Sequence, residues 1–152
     1  MKDIKVLGIG NILVGDDGFG PRVIEELRKR PLPENVELID AGVGGMAILS
    51  WIEGADKIVI VDSVQTNDEP AGTVYRFTDK ELPPSDMFML SLHDLNLVDT
   101  INIGRMVQKM PEEIVIYGVE VRRVIEFTME MSPEVEAAVA EVADLVMEEI
   151  KK

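Results

Sequence analysis

A chain of 152 residues suits one domain, and a hydrophobic content of 46% suits a packed core rather than disorder. Twenty-nine acidic residues against 15 basic ones leave a net charge of −14, a field that repels nucleic-acid phosphates and anionic membrane surfaces. The absence of cysteine excludes disulfides, thiolate zinc sites and a cysteine nucleophile. The N-terminus lacks the long apolar run of a signal peptide, and no stretch approaches the roughly 18 apolar residues of a membrane span, so a cytoplasmic location is expected.

In chain order, Ile4–Ile9 reads as a buried strand, followed by a loop rich in glycine and acid from Gly10 to Gly20. Pro21 is suited to the first turn of a helix whose apolar stripe is Val23, Ile24 and Leu27, and Pro31 and Pro33 end it. Val36–Asp40 is a second strand. It leads through Gly42, Gly44 and Gly45 to a helix near Met46–Ile52. Lys57–Val61 is a third strand, apolar enough to be covered on both faces and expected to end at Asp62. Gly72–Phe77 is a fourth strand, Leu95–Val107 a helix and Glu113–Val119 a fifth strand. The last helix opens with Ser132 as N-cap and Pro133 at its first position. Val135, Ala138, Val139, Val142, Leu145 and Val146 then recur at helical spacing. Alternating strands and helices predict a single three-layer α/β domain over residues 1–152, with a mostly parallel sheet between helices. Ligands of such sheets bind beyond the carboxyl ends of the strands, where strand order reverses. The loops after the first and third strands are therefore the places to look.

The first loop is not a nucleotide loop. Gly8 and Gly10 fit a dinucleotide fingerprint, but Leu13 stands at the third glycine position, and no Gly-Lys-Ser/Thr follows. Asp16 and Asp17 would oppose a phosphate there and favour a cation; their bland role is to cap the following helix. Asp62 is expected at the carboxyl edge of the sheet. His93, the only histidine, lies in an apolar stretch, where a structural role is the bland alternative. A Ser–His–Asp triad would need Ser63 or Ser91. No Gly-x-Ser-x-Gly elbow is present, and Ser63 follows Asp62 directly, so the two side chains face opposite sides of a strand. Met87 and Met89 read as core or adaptable surface. What remains is Asp17, Asp62 and His93, a set suited to zinc or nickel with coordination positions left open, or to acid–base hydrolysis. Spacing does not separate these roles.

Gly8-x-Gly-Asn-x-Leu-x-x-Asp-Asp-Gly-x-Gly20, the strand IVIVDS through Asp62 and the SLHDLNL segment together resemble the nickel–iron hydrogenase maturation proteases. The order and separations match from residue 4 to about residue 145, and the loop Asp40-Ala-Gly-Val-Gly-Gly-Met46 and the final helix fit as well. The acidic composition and the Leu92–Leu97 segment look like the branch serving deazaflavin-coenzyme-reducing hydrogenases of methanogenic archaea. The resemblance implies a five-stranded twisted sheet between helices. It also implies an endopeptidase of aspartyl type that removes the C-terminal extension of a nickel-loaded large-subunit precursor. The family's metal-contacting acids fall on Asp17 and Asp62 and its histidine on His93. Some members carry the longer glutamate where Asp17 stands, and Asp16 is the competing position. The nickel would be presented by the precursor, with no organic cofactor. A non-catalytic nickel-sensing chaperone of the same large subunit would use the same three residues.

Overall fold

The computed structural model describes residues 2–88, 96–122 and 127–152. Its strands are β1 (Ile4–Ile9), β2 (Val36–Gly42), β3 (Lys57–Val64), β4 (Val74–Thr78) and β5 (Glu113–Glu120). Its helices are α1 (Phe19–Leu27), α2 (Ala47–Ile52), α3 (Leu97–Val107) and α4 (Pro133–Glu149). A 3-10 turn over Gly15–Gly18 precedes α1. The strands form one sheet in the order β2-β1-β3-β5-β4. β1, β2, β3 and β5 run parallel, while β4 pairs antiparallel with β5 at the edge. This is the mostly parallel α/β architecture that the strand–helix alternation predicts.

Both faces of the central strands are covered, which is why β1, β3 and β5 read as near-continuous apolar runs. On one face Val6, Val59, Val61, Val115 and Val119 pack with apolar residues of α1 and α4. On the other, Leu7, Ile58, Ile60, Ile114 and Ile116 pack with those of α2 and α3. Alternation along the strands thus divides the core into two layers.

Several boundaries differ from expectation, each for a physical reason. β3 does not end at Asp62 but continues to Val64, because β5 stays paired with it as far as Glu120. β1 leaves β3 earlier, at Gly8 opposite Val61. Helix α3 begins at Leu97, where the Asn96 side chain accepts the Asp99 N–H at 2.9 Å. Ser132 holds the N-cap position of α4, with Pro133 following, but its hydroxyl makes no capping bond. That hydroxyl donates to Asp16 at 2.8 Å instead.

At the amino end of β3, Lys57 is fully buried, and its Nζ donates to a Glu149 carboxylate oxygen and to the Glu149 carbonyl, each at 2.9 Å. The same carboxylate accepts from Arg76 at 3.0 Å and from the Tyr117 hydroxyl at 2.7 Å. Burial opposes ionisation of Glu149, but these donors outweigh it and hold its pKa at about 2. Burial and the neighbouring Glu149 push the Tyr117 phenol up to about 12. A depressed carboxylate pKa contributes stability that is present above its unfolded value and lost as pH falls through the folded one. Thermal denaturation followed by circular dichroism should therefore show about 3 kcal/mol of stability lost between about pH 4.5 and pH 2. Glu149→Gln should remove that dependence and lower stability at pH 7 by about 3 kcal/mol, because Lys57 is left buried beside an uncharged partner.

Candidate active site

The strand order reverses between β1 and β3. The chain leaves β1 to build β2 on one side, then returns to place β3 on the other. The first loop fills the space that opens beyond Gly8, where β1 no longer pairs with β3. Glycines allow the close approach. Gly10 has a φ of +146°, and a Cβ on it would fall on the carbonyl oxygen of Asp17. A Cβ on Gly20 would fall on the carbonyl of Ile9 and lie 2.8 Å from that of Val61. The spacing of glycines in the first loop thus records backbone contact between the loop, the start of α1 and the two strands.

Asp16 and Asp17, adjacent in sequence, take different places. Neither caps α1, whose N-cap is Gly18 without a side-chain bond. Asp16 is fully buried and accepts hydrogen bonds from the Ser132 N–H at 2.6 Å, the Ser132 hydroxyl at 2.8 Å and the Arg122 N–H at 3.0 Å. It ties the first loop to the chain on either side of residues 123–131. Asp17 points toward β3. Its Oδ1 accepts the Ser63 hydroxyl at 2.8 Å, and its Oδ2 accepts the Asn11 N–H at 3.1 Å.

Asp62 is buried on β3, in register with Ile58, Ile60 and Val64 of the α2 and α3 layer. Ser63 is in register with Val59 and Val61 of the α1 and α4 layer. The two side chains therefore face opposite sides, as strand alternation requires. Ser63 nevertheless contacts both acids. Its hydroxyl binds Asp17, and its backbone N–H donates to Asp62 Oδ1 at 2.8 Å. Sequence reasoning weighed Ser63 only as a nucleophile. Its contact with Asp17 spans 46 positions, and nothing local in the sequence signals it.

Burial raises the pKa of Asp17, against the opposing hydrogen bonds from Ser63 and Asn11. Burial raises that of Asp62 well above the usual carboxylate range. The nearby charge of Asp17 adds to the rise, and the Ser63 N–H opposes it. A half-buried carboxylate, Asp17, beside a buried one, Asp62, whose proton affinity it raises, forms a donor set whose repulsion a divalent cation would relieve. His93 lies outside the described residues, as do Met89 and Ser91. Phe88, just before that segment, forms a bridge with Val64, and the Gln65 N–H donates to the Met87 carbonyl at 3.0 Å. Among the described residues, no group of three or more His, Asp or Glu side chains is placed to hold a metal.

Beside the end of β3 lies a cavity of about 450 Å³ bounded by Thr66, Glu69, Tyr75, Pro84 and Met87, not by the two carboxylates. Glu120 anchors its wall. It accepts from the Thr66 hydroxyl at 2.5 Å, the Thr66 N–H at 2.9 Å and the Tyr75 hydroxyl at 2.8 Å, and these bonds carry its pKa below the usual range despite burial.

The raised pKa of Asp62 has a stability consequence. Such a group contributes stability below its unfolded pKa, and this is lost as pH rises through the folded value. Asp62→Asn keeps an acceptor for the Ser63 N–H and removes the charge. It should stabilise the protein at pH 7, a gain that disappears below about pH 4 in thermal denaturation.

The sequence pattern of the hydrogenase maturation protease family, HycI, matches residues 21–149. The chain is 35% identical to the coenzyme F420 hydrogenase subunit delta of Methanothermobacter thermautotrophicus, over 97% of its own length and 94% of the relative's. It is 31% identical to the hydrogenase 2 maturation protease of Escherichia coli, over 98% and 91%. The solved structure of the Escherichia coli hydrogenase maturating endopeptidase HybD superposes with a TM-score of 0.85 at 31% identity, covering 99% of this chain and 93% of that one. No helix among the described residues is long and apolar enough to cross a membrane.

Proposed function

The chain belongs to the hydrogenase maturation protease family, a family of endopeptidases, and on that premise we propose that it removes the C-terminal extension of a hydrogenase large-subunit precursor after nickel has been inserted. The observation that carries the reading is the buried Asp62 carboxylate, its proton affinity raised by burial and by the half-buried Asp17 carboxylate nearby, where the strand order reverses. The nickel belongs to the substrate. Asp17 and Asp62, joined by His93, bind the ion carried by the precursor, and this contact places the scissile peptide bond at the sheet edge. A precursor without nickel gives the two acids nothing to bind and is not positioned.

Hydrolysis then needs water to add to the scissile carbonyl. Asp17, whose two oxygens are oriented by Ser63 and Asn11, takes a proton from that water. As the C–N bond breaks, Asp17 gives that proton to the departing amine, which leaves with the C-terminal peptide, and the water oxygen stays on the new carboxyl terminus. With no cysteine in the chain, attack by water is the route that its residues support. The relation to a methanogen's F420 hydrogenase subunit favours a deazaflavin-coenzyme-reducing hydrogenase as the source of the precursor.

Intact-mass spectrometry of a large-subunit precursor mixed with the purified protein, with and without nickel, tests the reading. The expected result is loss of a C-terminal peptide only when nickel is present, slowed about 100-fold or more by Asp62→Asn and by His93→Ala. Full-rate processing by either variant would sink the assignment of that residue. A stable complex with no loss of mass would identify a nickel-sensing chaperone instead.

A further inference from the structure

The first loop carries more than Asp17. Just upstream, Val14 forms a parallel bridge with Thr128. The Thr128 N–H donates to the Leu13 carbonyl and the Gly15 N–H to the Thr128 carbonyl, each at 2.9 Å. The two short segments make a ribbon that exposes large apolar side chains. Ile12 is 42% exposed, Leu13 48%, Phe127 88% and Met129 62%. Phe127 also has a φ of 60°, in the left-handed region that bulky residues avoid. An aromatic ring held in a costly backbone conformation, and presented to water, gains nothing from this chain's own core.

The ribbon is fixed to the site. The turn Gly15–Gly18 joins it directly to Asp17, and Asp16 in the same turn accepts hydrogen bonds from Arg122 and Ser132, on either side of the second segment. A chain seated on the ribbon is thereby held one turn away from the Asp17 carboxylate. We propose that the ribbon of Ile12, Leu13, Phe127 and Met129 is the surface on which the hydrogenase large-subunit precursor docks, through an apolar segment flanked by basic residues. The proposal rests on the function assigned above. Continuity of the ribbon with the carboxylate loop makes the substrate the occupant, since contact there delivers the substrate to the acids. The net charge of −14 selects basic flanks and sets two copies of this chain against one another.

The test measures binding of a tail-bearing, nickel-loaded large-subunit precursor from the same organism to the wild-type protein and to a Phe127→Ser/Met129→Ser variant. Calorimetry supplies the Kd and intact mass supplies cleavage. The variant is expected to melt as the wild type does, since both side chains are exposed, and to bind the precursor about tenfold or more weakly. Leu13→Ser, on the opposite segment, should weaken binding in the same direction and serves where the double variant fails to fold. An unchanged Kd overturns the proposal, as does a wild-type protein that forms no complex. Sedimentation that shows a wild-type dimer broken by the variant, with precursor binding intact, makes the ribbon a self-association surface and also overturns it. Tight wild-type binding without cleavage, weakened by the variant, upholds the docking surface while refuting the proteolytic reading.

Discussion

The close backbone approach between the first loop and the ends of β1 and β3 is the constraint on which the site depends. Gly10 and Gly20 leave no room for a Cβ because carbonyl oxygens of Asp17, Ile9 and Val61 occupy that space. This contact carries the 3-10 turn over the end of the sheet, where β1 has stopped pairing and β3 has not. Asp17 then arrives from the α1 and α4 layer and Asp62 from the α2 and α3 layer, with Ser63 bonded to both. Polar groups are brought together where β3 runs on beyond its pairing with β1 and side chains can replace strand partners.

Two adjacent aspartates in this turn bond to different parts of the chain. Asp16 accepts backbone and hydroxyl hydrogen bonds from Ser132 and a backbone bond from Arg122, so its buried oxygens meet donors from the chain that leads into α4. Asp17 meets fewer donors and faces a second carboxylate. Adjacent residues on a tight turn point in different directions, and one turn can therefore both anchor a loop and present an acid.

The two ends of β3 show how a buried acid can be treated. At the amino end, Lys57, Arg76 and Tyr117 surround Glu149 and hold its carboxylate ionised. At the carboxyl end, Asp62 has one backbone donor and a neighbouring acid, and its proton affinity rises. The first arrangement uses charge for stability. The second leaves electrostatic repulsion in place, as sites that bind cations or move protons commonly do.

Much of this was legible in the sequence. Periodicity exposed all five strands and the four helices within a few residues, because strands covered on both faces must be apolar throughout and helices covered on one face must be striped. Asp17 and Asp62 stood out through the motif shared with the hydrogenase maturation proteases, one in the acidic first loop and one on the apolar third strand. The residues that bond the first loop and the two ends of β3 did not stand out. Ser63, Ser132, Arg122 and Glu149 make their decisive hydrogen bonds across separations of 46 to 116 positions. Helix-capping logic assigned Asp16, Asp17 and Ser132 to local roles, and tertiary contacts then bonded the aspartates and the Ser132 hydroxyl to partners elsewhere in the chain. By itself the sequence determined the layers, the sheet and the position of the acidic loop, since those follow from local pattern and the burial of apolar faces. Only the tertiary structure decided which acid bonds to Arg122 and Ser132 and which to Ser63 of β3, because hydrogen-bond partners are assigned by geometry between distant segments.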